Sequence, residues 1–219
     1  DYTTIPVHPT NVTSVDFRLF NLGNGDIGYD LFLESPPGWY AGFDDLSAQG
    51  GANSASTGLM LEDGQMNIGI SFTPPQVMTL AGAEMTVILR VVSQSEEARM
   101  MQYELPLVVE EILELTVDLE SSFSTITPGN SLSLQYTIEN VGNADLDLSP
   151  RMQLPQGWSQ NSVLEDLTLG WTQSQNFIIS VTADSAARSG QIAFILDSNE
   201  ESWSHSESVE VLVLPEPVV

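Results

Sequence analysis

Apolar side chains recur at every second position along most of this 219-residue chain. Between residues 131 and 140, for example, Leu132, Leu134, Tyr136 and Ile138 alternate with mostly polar residues. Because successive side chains of a β-strand point to opposite faces, this alternation predicts strands with one buried and one solvated face. Turn-forming residues separate the runs at intervals of about 8–12 residues, which is typical of antiparallel sandwiches. The chain is therefore predicted to be all-β.

One passage of the chain occurs twice. Residues 9–39 (PTNVTSVDFRLFNLGNGDIGYDLFLESPPGW) and 128–158 (PGNSLSLQYTIENVGNADLDLSPRMQLPQGW) align without a gap, 119 positions apart, and 10 of 31 residues are identical. A period of this length is that of a domain, whereas solenoid repeats are about 20–50 residues long. We therefore predict two tandem immunoglobulin-like antiparallel β-sandwiches, over residues 1–110 and 111–219, with about seven strands each.

The two predicted domains are joined without a flexible linker. A strand predicted over residues 102–109 is followed, after two glutamates, by a strand predicted over residues 112–119. No run of Gly, Ser or Pro separates these strands, and a short connection restricts the angle between domains. We therefore expect an elongated rod with limited bending.

The two copies differ in three places. The first copy has only residues 1–7 to match the leading strand at 112–119, so its first strand is expected to be short or completed by other residues. Residues 47–58 (SAQGGANSASTG) are predicted to form a flexible polar loop. Residues 95–105 contain helix formers, but the second copy has a turn and a strand there, so we predict a hairpin turn over 95–100.

The charge balance is strongly acidic. Thirty Asp and Glu residues stand against five basic ones, giving a net charge of −25. Such a charge repels nucleic acid and anionic lipid, so neither is an expected partner. It predicts either a solvated surface that salt screens or a surface that binds cations. The chain has no Cys for disulfides or thiolate metal sites. No stretch reaches the roughly 20 apolar residues of a membrane span, so no membrane insertion of this segment is expected.

The repeated turns carry a resemblance to a known type of domain. In both copies Asn-x-Gly-Asn-x-Asp is followed about ten residues later by Pro-x-Gly-Trp. With these motifs the chain resembles the NEW3 type of immunoglobulin-like domain, which is associated with some bacterial α-galactosidases. It is also similar to the CARDB-type adhesion domains of archaeal and bacterial surface proteins. The resemblance implies an accessory spacer or adhesion unit of a larger exported protein, located at the cell surface or outside the cell.

Oxygen-bearing side chains suggest one candidate cation site. The densest run is at Asp197, Asn199, Glu200 and Glu201, and calcium prefers such oxygen ligands. The run lacks the Gly and the spacing of a calcium loop, so a solvated turn is the alternative interpretation. Other acidic residues, such as the Asp of each Asn-x-Gly-Asn-x-Asp turn, are expected to cap backbone N–H groups. No other cofactor is expected.

The four tryptophans divide into two pairs. Trp39 and Trp158 end the same motif in both copies, so they are predicted to pack on the sandwich cores. Trp171 and Trp203 occur only in the second copy, beside polar residues, and are candidates for exposed ligand contacts. An exposed aromatic platform would suit a glycan.

No sequence motif indicates catalysis. The chain has no Gly-x-Ser-x-Gly nucleophile turn, and without Lys it cannot form a phosphate-binding loop with its lysine. Its carboxylates are numerous, but a glycosidase pair also needs a deep cleft and a raised pKa on one partner. We therefore expect no enzymatic activity.

These observations leave three hypotheses for function. The first is a structural or adhesive spacer of a larger cell-surface or secreted protein, for example within a surface layer or filament, whose partners are neighbouring domains or neighbouring copies. The second is an accessory module that binds a glycan or a protein. The third is assembly by strand donation, because the short first strand leaves a sheet edge that another chain could fill.

Overall fold

The computed structural model describes residues 4–44, 53–95, 99–120, 123–199 and 203–215. Every regular element in these ranges is a β-strand, so the predicted all-β class is confirmed. The chain divides into two compact units, Asp1–Ile112 and Leu113–Val219, called here the first and second unit. Within the described ranges there is no helix long and apolar enough to cross a membrane.

The described part of the first unit contains eight strands, and that of the second contains nine, against the seven or so expected. The strands of the first unit are β1 (Ile5–Val7), β2 (Thr13–Phe20), β3 (Ile27–Glu34), β4 (Tyr40–Phe43), β5 (Ser54–Met60), β6 (Gln65–Thr73), β7 (Glu84–Ser93) and β8 (Met100–Val109). Those of the second unit are β9 (Leu115–Leu119), β10 (Phe123–Ile126), β11 (Ser131–Asn140), β12 (Leu146–Gln153), β13 (Trp158–Gln160), β14 (Leu167–Leu169), β15 (Ser174–Ala183), β16 (Gly190–Ser198) and β17 (Ser204–Val213).

Each unit consists of two sheets. In the first unit the strand orders are β1-β8-β7-β3-β5 and β2-β6-β4. In the second unit they are β10-β17-β16-β12-β14 and β13-β15-β11-β9. Neighbouring strands are antiparallel, except that β1 pairs in parallel with β8 and β10 pairs in parallel with β17. Both units are therefore immunoglobulin-like β-sandwiches, as predicted.

The alternation along the strands places one apolar core in each unit. In β11, Leu134, Tyr136 and Ile138 are buried, whereas their neighbours along the strand are mostly exposed or half-buried. The Tyr136 ring packs on the Phe194 ring of the opposite sheet, with centroids 4.6 Å apart. The Phe177 ring lies 5.6 Å from the Phe194 ring. Each core consists of residues of its own unit. Burial of their apolar surface stabilises that unit.

The leading strands do not correspond as expected. Residues 1–7 were matched in the sequence with residues 112–119, but β1 pairs in parallel with the last strand of its unit, as β10 does in the second unit. The counterpart of β1 is therefore β10. β9 pairs with β11 on the side away from β15, and no strand in the described part of the first unit takes this place beside β2.

Part of the predicted polar loop is a strand. Residues 54–58 belong to β5, which pairs antiparallel with β3 across a bulge between Gly28 and Asp30. The expectation of a loop there is wrong, because the edge of β3 recruits a segment of small residues that has no apolar alternation of its own. Residues 47–52 of that loop lie outside the described residues. The hairpin turn expected over 95–100 agrees with the bounds of β7 and β8, although residues 96–98 are also outside them.

Candidate functional site

The first repeated motif forms a buried hydrogen-bonded clamp. In the first unit, the Asn21 side-chain amide donates to the carbonyl oxygens of Gly25 (2.9 Å) and Leu61 (2.9 Å). Its side-chain oxygen accepts from the Gly23 N–H and the Tyr29 hydroxyl, both at 3.1 Å. Asn21 is completely buried, so this residue joins its own turn to the distant turn after β5.

The second unit contains the same clamp. The Asn140 side-chain amide donates to the carbonyl oxygens of Ala144 (2.7 Å) and Leu169 (3.0 Å), and its oxygen accepts from the Gly142 N–H at 3.0 Å. Buried polar groups are normally paired in this way, because an unpaired one is expensive. The Asn of the motif therefore has a structural role in both units.

The Asp of the same motif caps the turn that the Asn holds. Asp26 Oδ1 accepts from the Glu62 N–H, and Asp145 Oδ1 accepts from the Trp171 N–H, each at 2.9 Å. This is the capping role expected from the sequence.

The Pro-x-Gly-Trp motif supports the core. Trp39 and Trp158 are half-buried and pack against the core of their own unit, as predicted, and the Trp158 indole N–H donates to the Arg188 carbonyl at 2.9 Å. The preceding glycines have φ values of +85° (Gly38) and +82° (Gly157), which residues with a Cβ rarely adopt.

Polar side chains meet at an exposed patch on the β14-β12-β16 face of the second unit. The Ser149 hydroxyl lies 2.7 Å from Asp166 Oδ1 and 2.8 Å from Asn199 Oδ1. The Thr168 hydroxyl donates to Asp147 nearby on the same strand pair. The Ser149 hydroxyl has one proton, so it can donate to only one of these two acceptor oxygens at a time.

The four residues predicted to bind a cation are only partly described. Asp197 forms an ion pair with Arg151, with Nε and Oδ2 2.6 Å apart, and its hydrogen bond raises the pKa of Arg151. Glu200 and Glu201 lie outside the described residues. Among the residues that are described, no three His, Cys, Asp or Glu side chains are grouped to hold a metal. Calcium binding stays a prediction.

The two tryptophans proposed as ligand contacts are both half-buried. Trp171 lies in the turn between β14 and β15, and Trp203 packs against the core of the second unit just before β17. Their indole nitrogens are buried without a hydrogen-bond partner among the described atoms. A contact with a ligand at either ring stays a prediction.

One titratable group in the core is perturbed. Burial, and secondarily the charge of Glu207, raise the pKa of Tyr136 to about 12. The Tyr136 hydroxyl has no hydrogen-bond partner among the described atoms, and its ring is part of the aromatic cluster of the core. The shift therefore follows from packing, and it does not mark a catalytic acid or base.

The edge of β2 is the main difference between the units. β2 is an edge strand, whereas its counterpart β11 lies between β15 and β9. The inward side chains of β2 are half-buried, while those at the equivalent positions of β11 are buried: Val15, Phe17 and Leu19 against Leu134, Tyr136 and Ile138. The open edge exposes backbone groups that a further strand could pair.

An apolar groove of about 430 Å³ lies along this edge. It is called here the β2 groove, and its principal lining residues come from β2, β3, β8 and the turn after β2: Phe17, Leu19, Leu22, Tyr29, Met101 and Tyr103. Leu22 is 85% exposed, which is unusual for a large apolar residue inside a structural turn. The sequence suggested an open edge but not the groove, whose walls come from strands far apart in the chain.

Comparisons with known proteins give fold-level likeness only. No family model and no curated protein matches the chain. Among solved structures, the CupB2 chaperone of Pseudomonas aeruginosa aligns over 95% of this chain and 97% of its own, at 8% identity and a TM-score of 0.35. The YadV chaperone aligns over 96% and 97%, at 11% identity and a TM-score of 0.35. Domains 1–4 of protocadherin gamma B7 align over 99% of this chain and 50% of theirs, at 11% identity and a TM-score of 0.39.

Proposed function

We propose that this chain is a non-catalytic structural or adhesive spacer of a larger cell-surface or secreted protein. Its partners would be other domains of that protein or neighbouring copies, as in a surface layer or filament. The resemblance to NEW3-type and CARDB-type domains supports this role. So does the structural use of the repeated polar residues, since Asn21, Asp26 and their counterparts hold turns.

The observation that carries this proposal is the short connection between the two units. The Glu110 N–H donates to the Val7 carbonyl at 2.9 Å, which binds the start of the connection to the first unit. The Glu114 carbonyl accepts from the N–H groups of Val141 and Gly142, each at 3.0 Å, which binds its end to the second unit. Glu110 and Glu114 are four positions apart in the chain, and the spacer proposal takes so short a connection to limit bending.

The acidic composition suits a crowded surface. A net charge of −25 keeps neighbouring copies apart through repulsion and maintains solubility. Salt or divalent cations would screen this repulsion and allow copies to approach one another. The charge would therefore regulate the spacing between molecules.

Small-angle X-ray scattering of the isolated chain tests the spacer role. We expect the profile of an elongated two-domain particle, with a maximum dimension that is the same at about 0.1 M and about 1 M salt, where the Debye length falls from about 10 to 3 Å. A compact particle with the units side by side would count against the proposal. So would a broad distribution of dimensions that changes with salt.

A binding function is the second candidate, and the β2 groove favours a protein ligand over a glycan. The groove is lined mainly by apolar side chains at a sheet edge, where an extended peptide can add a strand. The candidate contacts for a glycan are Trp171, Trp203 and the loop predicted over residues 47–58. A glycan array would support it if binding appears and is lost in both Trp171→Ala and Trp203→Ala. It would be refuted if no glycan binds.

A further inference from the structure

The two clamp turns differ at the pair of residues that follows their shared glycine. The first unit has Asn24-Gly25 at this place, and the second has Asn143-Ala144. Asn24-Gly25 is the only Asn-Gly pair in the sequence. The side chain of an asparagine reacts most readily with the backbone nitrogen of the next residue when that residue is glycine, because a Cβ there hinders the approach. The first turn therefore carries a reactive pair that the second turn lacks.

The structure leaves this pair accessible to solvent. Asn24 and Gly25 are exposed, whereas Asn143 is completely buried and Ala144 is 9% exposed. A Cβ added at Gly25 would meet no atom within 4 Å apart from its chain neighbours, so the backbone has room to rotate there. The Gly25 N–H donates no hydrogen bond among the described atoms. The nitrogen that would react is therefore not held in place by an acceptor.

We propose that Asn24 is a site of spontaneous deamidation, and that the reaction loosens the clamp of the first unit. The Gly25 nitrogen forms a bond to Cγ of Asn24, the Cγ–Nδ2 bond breaks, and ammonia leaves with the proton of the Gly25 N–H. The product is a five-membered succinimide ring. Water, the co-reactant, then opens this ring at either of its carbonyl groups. One opening gives aspartate at position 24, and the other gives isoaspartate, in which the main chain runs through Cγ.

The isoaspartate form acts on the clamp through the length of the main chain. The Asn21 side-chain amide donates to the Gly25 carbonyl at 2.9 Å, and Asp26, the next residue, accepts from the Glu62 N–H. Isoaspartate adds a carbon atom to the main chain directly before Gly25, so Gly25 and Asp26 cannot both keep these positions. The turn after β2 and the turn after β5 therefore lose part of their connection, while the second unit is unaffected.

Storage of the full chain in neutral buffer tests the reaction. Tandem mass spectrometry of proteolytic peptides follows the replacement of each side-chain amide by a carboxylate. We expect Asn24 to convert about tenfold faster than any other asparagine, which corresponds to a barrier lower by about 1.4 kcal/mol. The rate should rise with pH, because the Gly25 nitrogen must lose its proton to react. An isoaspartyl methyltransferase, which labels isoaspartate and not aspartate, should label the same position.

Two variants separate this chemistry from general ageing of the sample. Gly25→Ala copies the second unit and should convert about tenfold more slowly. Because Gly25 has no positive φ and has room for a Cβ, this variant should fold as the parent chain does. Asn24→Gln keeps an exposed amide but would have to close a six-membered ring, so it should remain intact under the same conditions.

Hydrogen exchange of the stored chain measures the effect on the clamp. We expect the amides of residues 20–27 and 60–65 to exchange about fivefold faster in the isoaspartate form, as the loss of one typical hydrogen bond predicts. The amides of residues 139–146 should be unchanged. Freshly prepared Asn24→Asp has the added charge without the longer main chain, so it should exchange like the fresh parent chain.

Three results would overturn the proposal. One is an Asn24 side chain that remains an amide in the folded chain but converts in urea, since the turn would then protect it. Another is an Asn24 rate equal to that of Asn161, an exposed asparagine of the second unit, or equal rates for the parent chain and Gly25→Ala. The third is isoaspartate at position 24 with unchanged hydrogen exchange in both turns, because the modification would then not loosen the clamp.

Discussion

Replacing Asn140 by Ala removes the clamp that joins two turns of the second unit. The side chain is buried and makes three hydrogen bonds to backbone groups of Gly142, Ala144 and Leu169. These three groups also lie in buried residues. Truncation therefore removes the Asn140 donor from the Ala144 and Leu169 carbonyls in a place that water does not reach in the native structure, while the Gly142 N–H keeps its bond to the Glu114 carbonyl.

The magnitude follows from counting these bonds. A typical intramolecular hydrogen bond contributes about 0.5–1.5 kcal/mol to stability, and an unpaired buried group costs about 1–3 kcal/mol. For three bonds we expect Asn140→Ala to lower the free energy of unfolding of the second unit by about 3 kcal/mol. Asn140→Asp keeps the acceptor for the Gly142 N–H but loses both donors and buries a charge, so it should be no less damaging.

Urea unfolding followed by tryptophan fluorescence measures this loss. Three of the four tryptophans are in the second unit, and Trp39→Phe in every variant leaves only these reporters. With a slope of about 1–3 kcal/mol per M urea, the midpoint should fall by about 1–3 M. The matched control is Asn176→Ala, an exposed amide of the same unit that accepts one bond from Thr137, for which we expect a change within about 0.5 kcal/mol.

An Asn140→Ala midpoint equal to that of Asn176→Ala would refute this reasoning. It would mean that the repeated Asn does not hold the turns, and that the motif has another role in both units.

Three further predictions concern other features of the two units. Gly157→Ala should lower the melting temperature more than Gly38→Ala. Both need a positive φ, but a Cβ at 157 would lie 2.7 Å from backbone atoms of Ala187, whereas at 38 the nearest side chain is at 3.5 Å; equal losses would contradict this packing. Burial favours the neutral form of Tyr136, so its stabilisation is complete below its unfolded pKa of 10 and is lost as pH rises through about 12. The Tyr136→Phe variant should therefore not lose this stability at alkaline pH. If the stability of the variant falls with rising pH as much as that of the wild type, ionisation of Tyr136 is not the cause. Finally, added NaCl should raise the melting temperature by screening a net charge of −25, and a melting temperature that falls with salt would argue against self-repulsion.

The sequence was sufficient for the strands whose alternation is strong. β11 and β15 follow from apolar residues at every second position, because burial of one face selects the register. β5 was missed because Ser54 and its neighbours carry little apolar pattern and become a strand by pairing with β3. Secondary structure of that kind depends on a neighbour and not on the segment itself.

The candidate sites were less predictable than the fold. The turn at Asn21 could be identified from its residues, but its bond to Leu61 joins positions 40 residues apart and depends on how β5 ends. The β2 groove has no local signal, since Phe17 and Tyr103 meet only after the sheets have packed.

Within the described residues, the two units share one fold and differ by β9, so that β2 has no strand on its outer side. Amide hydrogen exchange followed by NMR on the intact chain tests it most directly. We expect slow exchange throughout β11, which is paired on both sides. We expect fast exchange at every second amide of β2, which among the described strands pairs with β6 alone. Uniformly slow exchange along β2, matching that of β11, would contradict the account.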